Sequence, residues 1–197
     1  AQLTVFANAL TGFLSALTFA TYLFFYTPMK RITPWSTVIG GIPGAIPPMM
    51  GWTAVRGEIT AEAWILFAIL FCWQMPHFYS LAWMYRKDYA RAGYRILTVN
   101  DEHGTRTSRQ ILVYCLALIP ASLAPAFVGL TGMVSTAGAV LLGAGFLGCS
   151  LLLAHQARHD QSEALSRVTA TSRQMFFASL LYLPALMLLL SLDKLSR

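Results

Sequence analysis

The chain has 197 residues, of which 56% are hydrophobic and 11% are charged, and its formal net charge is +6 at pH 7. An ordinary soluble domain is about one quarter charged and is less apolar. This composition excludes an ordinary soluble globular protein and predicts a lipid bilayer as the main surroundings of the chain. It gives no reason to expect a nucleic-acid partner.

Uncharged stretches along the sequence are long enough to cross a bilayer, which takes about 20 residues of helix. They cover 1–29, 32–55, 63–85, 110–157 and 174–192. The longest is interrupted by the turn-prone sequence GLTGMVS at 129–135, which divides it into two helices. The sequence therefore predicts an all-α, polytopic membrane helix bundle with six transmembrane helices. Their predicted bounds are near 3–26, 36–55, 63–85, 110–130, 134–155 and 174–192.

Basic residues are concentrated in the loops after the first, third and fifth predicted helices. These loops hold eleven of the 14 cations, namely Lys30, Arg31, Arg86, Lys87, Arg91, Arg95, Arg106, Arg109, Arg158, Arg167 and Arg173. On the opposite face, three cations are balanced by Glu58, Glu62 and Asp193. Because cytoplasmic loops carry the excess of Lys and Arg, the basic face is predicted to be cytoplasmic, or matrix-facing in a mitochondrion. The expected location is the bacterial cytoplasmic membrane, or the mitochondrial inner membrane in a eukaryote.

The first basic loop, FFYTPMKRITPWS, places Lys30 and Arg31 between Pro28 and Pro34. A basic pair at a helix end is also what membrane topology alone requires. The alternative is that the two prolines hold both cations ready to bind a phosphate group. The loop by itself leaves both interpretations open.

The second predicted helix, TVIGGIPGAIPPMMGW, is rich in glycine and proline. Proline removes a backbone hydrogen bond, and glycine lets neighbouring backbones approach closely. The pattern is compatible with a tightly packed, kinked helix and with a helix bent around a cavity.

The third predicted helix contains Pro76 and His77 within apolar sequence. Ionisable groups inside the hydrocarbon are rare and usually functional. His77 is therefore predicted either to bond a neighbouring helix or to contact a ligand's polar group or metal.

Charged residues follow directly where the third helix leaves the membrane. Arg86, Lys87 and Asp88 precede Tyr89. Asp88 could form a surface ion pair, which contributes about 0–1 kcal/mol. It could equally be a ligand of Mg²⁺, an ion that takes one or two carboxylates together with water and substrate phosphate.

Three stretches, YTPMKRITP, GGIPGAIPPMMGW and WQMPHF followed by KDYARAG, carry a family resemblance. In order and spacing they resemble the protohaem IX farnesyltransferase (haem O synthase) family of the UbiA superfamily of intramembrane prenyltransferases. The close resemblance covers about residues 20 to 97, and the remaining helices are similar in layout.

The resemblance implies a nine-helix, all-α bundle with a central cavity that opens on the cytoplasmic or matrix side. Two acidic motifs of the family would hold Mg²⁺ and the diphosphate of an isoprenoid donor. The second motif corresponds to Asp88 and Tyr89, the basic pair to Lys30 and Arg31, and the histidine of the PHF sequence to His77.

Two departures from the family pattern accompany the resemblance. The first acidic motif has no counterpart in this chain, so residues 1–197 are expected to form a single intramembrane domain that corresponds to the C-terminal two-thirds of the enzyme and is inactive alone. Ala92 stands where many UbiA members have a second Asp, which favours the haem branch over the quinone branch.

The implied reaction transfers farnesyl from farnesyl diphosphate to a vinyl group of haem B, giving haem O for haem-copper terminal oxidases. Mg²⁺, Lys30 and Arg31 would stabilise the departing diphosphate. The aromatic rings of Tyr22, Tyr26, Trp73 and Phe78 are candidates to face an allylic cation. The candidate catalytic residues are Asp88, Lys30, Arg31 and Tyr89, with Asp88 as metal ligand. The candidate substrate-binding residues are His77, Tyr26, Arg86 and Trp73.

Two alternatives remain open. A related enzyme could prenylate an aromatic acid or a quinone precursor, or the chain could be a transporter or a non-catalytic membrane scaffold. A transporter predicts carboxylates at mid-membrane depth, and no Asp or Glu lies deep within any predicted span.

Overall fold

The structure is a computed structural model that describes residues 2–158 and 164–195. Within these ranges the chain forms helices and no strand, which confirms the predicted all-α fold. The elements are α1 Gln2–Phe6, α2 Ala9–Ala20, a π-helix Thr21–Tyr26, α3 Thr27–Met29, α4 Ser36–Arg56, α5 Ala61–Met84, α6 Arg86–Arg91, a 3₁₀-helix Leu97–Val99, α7 Thr105–Phe127, α8 Met133–Gln156 and α9 Ala164–Leu195.

Five helical stretches in the described ranges are long and apolar enough to cross a membrane. They are Ala9–Met29, Ala61–Met84, Thr105–Phe127, Met133–Gln156 and Leu165–Asp193. The chain is therefore an integral membrane helix bundle. The predicted sixth span forms as α4 with 21 residues but does not belong to this set, because its glycines and prolines lower its hydropathy.

Two helix boundaries differ from the prediction for identifiable physical reasons. The first span begins at α2 rather than near residue 3, because Asn8 is extended and its Oδ1 accepts a hydrogen bond from the Thr11 N–H at 2.8 Å. The last helix begins at Ala164 instead of residue 174. The uncharged run predicts only the part within lipid, whereas a helix with charged residues such as Arg167 can continue into water.

The helix α5 lies at the centre of the packing and contacts α4, α7 and α9. The helices α7 and α8 pack together, as do α8 and α9, while α2 packs on the outer side of α4. The largest fully buried core side chains include Trp83, Tyr182, Met75, Leu118 and Met175. Because α5 contacts α4 on one side and α7 and α9 on the other, it positions the side chains that pack between these helices.

The first two basic loops and the end of α8 meet at one end of the bundle. The Arg95 N–H donates a hydrogen bond of 2.9 Å to the carbonyl of Lys30, which joins the first two loops. The Thr105 hydroxyl donates to the carbonyl of Ala157 at 3.1 Å, which joins the second loop to the end of α8. Most of the cations that the sequence assigns to one face therefore lie at the same end of the bundle.

At the other end, the carboxylate of Asp193 closes the start of α8. It is 7% exposed and accepts hydrogen bonds from the Gly132 N–H at 2.5 Å, the Ser135 N–H at 3.1 Å and the Ser135 hydroxyl at 2.8 Å. A negative group at a helix N-terminus also interacts favourably with the helix dipole.

Replacing Asp193 by alanine is expected to lower the free energy of unfolding by about 2–3 kcal/mol, because it removes charge-assisted hydrogen bonds and leaves buried donors without their acceptor. Thermal unfolding in detergent measures this effect. The matched control is Glu58→Ala, which removes an exposed carboxylate near the same end and should leave the unfolding midpoint nearly unchanged. Equal midpoints for the two variants would contradict a capping role for Asp193.

Candidate active site

A cavity of about 400 Å³ lies between the π-helix, α4, α5 and the loop that follows α6. Its lining includes all four aromatic residues predicted to face a cation, namely Tyr22, Tyr26, Trp73 and Phe78. Lys30 also lines it and is the charged side chain at this site among the described residues. The cavity opens at the end of the bundle where the basic loops meet.

The π-helix places two of these aromatic rings on the cavity wall. Both the backbone N–H and the hydroxyl of Thr27 donate to the carbonyl of Tyr22, the hydroxyl at 3.0 Å. The ring centroids of Tyr22 and Tyr26 are 5.0 Å apart. Segments of π-helix are rare and occur frequently at functional sites.

Lys30 is held at the mouth of the cavity between two aromatic rings. Its Nζ lies 4.7 Å from the ring centroid of Tyr26 and 5.7 Å from that of Tyr94. A cation is attracted to a ring face at such distances. The neighbouring Arg31 is exposed and is not part of the cavity lining. The structure therefore separates the predicted basic pair into one cation at the cavity and one in solvent.

Glycines of α4 bring the helix close to the cavity aromatics. A Cβ on Gly40 would lie 2.5 Å from Cδ2 of Tyr26, and a Cβ on Gly44 would lie 2.5 Å from Oε1 of Gln74. The Gln74 side chain in turn donates a hydrogen bond of 2.8 Å to the carbonyl of Gly41. The glycine pattern of this helix thus serves both tight packing and a cavity, as the two sequence interpretations allowed.

Tyr89 of α6 and Tyr94, in the loop after α6, also line the cavity. Their ring centroids are 5.9 Å apart, and the Tyr94 N–H donates to the Tyr89 carbonyl at 3.0 Å. Burial raises the pKa of the Tyr89 hydroxyl above its ordinary value, and the neighbouring Tyr94 hydroxyl adds to the shift. Tyr89 therefore stays neutral at physiological pH and can donate a hydrogen bond to an anion.

Asp88 and Arg86 lie outside this cavity. The Asp88 carboxylate is 3.4 Å from Nη1 of Arg91, and these two side chains are 66% and 80% exposed. The Arg86 guanidinium lies 4.4 Å from the ring centroid of Trp83. Both residues line a separate groove between α5, α6 and α9.

The described residues do not by themselves fit a complete magnesium site. Across 2–158 and 164–195, no group of three or more His, Cys, Asp or Glu side chains could hold a metal ion. Asp88 would supply one carboxylate ligand, and its observed neighbour is the cation Arg91.

His77 bonds a neighbouring helix. Its Nδ1 lies 2.8 Å from the hydroxyl of Ser179 on α9, and its ring stacks between Trp73 and Phe176 with centroid distances of 5.1 and 4.8 Å. The Trp73 indole also donates to the Ser179 carbonyl at 2.7 Å. These contacts match the helix-bonding interpretation, and His77 does not belong to the cavity lining.

Sequence reasoning missed several cavity residues, among them Gln74 and Tyr94. Gln74 is a polar residue within the apolar third span, and polar side chains there commonly bond between helices, so that signal was available. Tyr94 offered no such signal, because its position beside Lys30 depends on how the loop after α6 folds back.

The fold and the cavity together define an integral membrane protein with an aromatic, intramembrane binding cavity that has a lysine at its mouth. The chain belongs to the UbiA prenyltransferase family, whose family model matches residues 1–192.

Several curated relatives match nearly the whole chain. One from Solibacter usitatus, named protoheme IX farnesyltransferase, is 48% identical over 193 residues, which cover 98% of this chain and 63% of that protein. Proteins of the same name from Koribacter versatilis and Myxococcus xanthus are 42% and 40% identical, covering 98% and 97% of this chain and 61% and 62% of their own lengths. The chain thus spans about three fifths of the length of these relatives. No solved structure matches it.

Proposed function

We propose that the protein to which this chain belongs is an intramembrane prenyltransferase that transfers a farnesyl group from farnesyl diphosphate to a vinyl group of haem B, giving haem O. The observation that carries the proposal is the position of Lys30, held by two tyrosine rings at the mouth of an aromatic cavity. Family membership and the names of the relatives support the choice of substrates.

The cavity suits a donor with a charged head and an apolar tail. Leu70 and Leu81 of α5 both line it. At 1.5 Å per residue these two positions are about 16 Å apart along the helix, so the cavity extends well into the bundle. The diphosphate would lie at Lys30 with the Tyr89 hydroxyl as a further donor, and the isoprenoid chain would lie along α5.

The chemistry follows from this placement. When the carbon–oxygen bond of the donor breaks, its electron pair leaves with the diphosphate, and the positive Lys30 stabilises the charge that develops there. The remaining allylic cation lies among the ring faces of Tyr22, Tyr26, Trp73 and Phe78. The π electrons of the haem vinyl group then form the new carbon–carbon bond, and water adds to the resulting cation and loses a proton.

A divalent metal belongs to this proposal only as a sequence-based prediction. Mg²⁺ would neutralise charge on the diphosphate, with Asp88 as one ligand. Because the described residues do not complete its site, the proposed chemistry rests on Lys30 and the aromatic rings of the cavity. The predicted haem contact of His77 likewise stays a prediction, and so do the predicted roles of Arg31 and Arg86, whose side chains do not line the cavity.

We further propose that residues 1–197 form one intramembrane domain, since α5 links the α4 side to a common core with α7, α8 and α9. The cavity mouth would face the cytoplasm, or the mitochondrial matrix, because Lys30 places it at the end of the bundle that carries the excess of Lys and Arg. In a bacterium the membrane would be the cytoplasmic one.

Replacing Gly40 by alanine is expected to lower farnesyl transfer about tenfold. The new methyl group would lie 2.5 Å from the Tyr26 ring, so the ring must move, and with it the support of Lys30. Gly51→Ala in the same helix is the matched control, because nothing lies within 4 Å of its Cβ. Steady-state rates at equal protein levels test the difference, and equal rates for the two variants would contradict a need for this ring position.

The proposed function is tested by expressing the full-length protein in cells that lack their own haem O synthase and extracting the haems. Haem O should accumulate only when the protein is present. A prenylated aromatic acid or quinone precursor in place of haem O would assign the protein to the other enzymatic alternative. Absence of any prenylated product from a correctly inserted protein would favour a scaffold or transporter.

A further inference from the structure

A second depression lies at the basic end of the bundle, on the other side of α6 from the Tyr89 ring. It is an open groove of about 810 Å³ between the end of α5, α6 and the first turns of α9. Among the residues that the structure describes, four cations line it, Arg86, Lys87, Arg91 and Arg173, against the one carboxylate of Asp88. The prenyl-transfer proposal uses none of these four cations.

Two of the cations are held in place by aromatic rings. The Arg86 guanidinium lies 4.4 Å from the ring centroid of Trp83 and donates to the Glu102 carbonyl at 3.4 Å. The Trp83 indole donates to the Thr169 hydroxyl at 3.3 Å, which ties this support to α9. On the opposite wall, the Arg173 guanidinium lies 5.8 Å from the Phe177 ring centroid. A planar guanidinium fixed in this way is suited to binding phosphate oxygens in pairs.

The groove lies at the depth of the lipid headgroups. It is lined by Met84, the last residue of one spanning helix, and by Arg173, which directly precedes the uncharged run 174–192 of another. Below Arg173, Phe177 and Leu181 follow at four-residue intervals on the same face of α9 and are 50% and 74% exposed. The surface therefore changes along one line from cationic to apolar, as an anionic head joined to acyl chains would require.

We infer that this groove binds an anionic phospholipid, with the phosphate between Arg86 and Arg173 and the acyl chains along Phe177 and Leu181. A basic pocket between spanning helices at one membrane surface is the usual arrangement for recognising such headgroups. The apolar stripe below the cations favours a lipid over free phosphate, because free phosphate gains nothing from it. The inference rests on the position of Asp88 outside the donor cavity and does not otherwise use the proposed transfer reaction.

Native mass spectrometry of the purified full-length protein in detergent tests this site by titration with phosphatidylglycerol or phosphatidylcholine. Wild-type protein should bind phosphatidylglycerol about tenfold more tightly. The double variant Arg86→Gln, Arg173→Gln should lose that preference. The matched control is Arg56→Gln, a cation at the other end of the bundle whose guanidinium lies 5.6 Å from the Trp52 ring, and it should keep the preference.

Three results would overturn the inference: an unchanged preference in the double variant, equal loss in the Arg56 variant, or displacement of the lipid by millimolar inorganic phosphate. Displacement by haem B would assign the groove to a substrate and would also overturn it. Should the double variant not fold, the wild-type protein still gives a test. Raising the salt concentration should weaken phosphatidylglycerol binding while leaving phosphatidylcholine binding unchanged, because salt screens exposed charges.

Discussion

On the proposed function, replacing Lys30 by glutamine in the full-length protein is expected to lower kcat/KM for farnesyl diphosphate about 100-fold. Removing one donor that stabilises developing negative charge costs on the order of 10²–10³ in rate in other enzymes. Lys30 is the charged group that the described structure places at the cavity, and two rings fix its position. Haem O formation by purified protein at varied farnesyl diphosphate concentrations measures the effect.

The adjacent Arg31→Gln variant is the natural comparison. Arg31 has the same charge and belongs to the same loop, but it is exposed and outside the cavity, so we expect a loss of less than tenfold. The loss of kcat/KM for Lys30→Arg should lie between those of the other two variants. Arginine keeps the positive charge, but its planar guanidinium differs in shape from the ammonium group that lies between the two rings. Equal losses for Lys30→Gln and Arg31→Gln would mean that the loop acts through its overall charge.

Asp88→Asn is expected to lower haem O formation about 100-fold if the carboxylate holds Mg²⁺, since an amide cannot supply a negative charge to the ion. Both side chains of the observed Asp88–Arg91 ion pair are exposed, so the pair contributes at most about 1 kcal/mol to stability. Folding should therefore survive the change. The measurements are the rate as a function of Mg²⁺ concentration and the thermal midpoint.

Arg91→Gln separates the two interpretations of Asp88. It breaks the same ion pair but leaves the carboxylate, so a metal ligand would keep most of its activity in this variant. If Asp88→Asn retains nearly wild-type activity at every Mg²⁺ concentration, the metal role is wrong and Asp88 belongs to the surface charge of the groove. A parallel loss in both variants would point to the ion pair itself.

The sequence predicts the helical layers of this protein well because lipid imposes a simple rule. Uncharged runs locate the helices, and a count of Lys and Arg finds the end at which the basic loops meet. The same rule cannot place the start of α2, which depends on the side-chain cap of Asn8. It also cannot show that α9 continues ten residues beyond its apolar part.

The candidate site is predicted less completely. Whether a residue lines the cavity depends on the direction in which its side chain leaves the helix. Motif reasoning finds Tyr26, Lys30 and Trp73, all of which line the cavity. It treats Asp88 and Tyr89 as one unit, yet consecutive residues on a helix point about 100° apart. In the structure Tyr89 lines the cavity and Asp88 lines the groove. Only the three-dimensional structure resolves such neighbours.

The π-helix at Thr21–Tyr26 restricts changes in the length of this segment. A π-helix holds one residue more than an α-helix over the same rotation, because its hydrogen bonds reach one residue further. Deleting one residue there would therefore restore ordinary α-helical bonding and leave Lys30 facing the cavity, but it would change the relative directions of the Tyr22 and Tyr26 rings on the cavity wall. Phe24, which is 69% exposed, should therefore accept many substitutions but not deletion. An exposed residue is needed here as a backbone spacer, whatever side chain it carries.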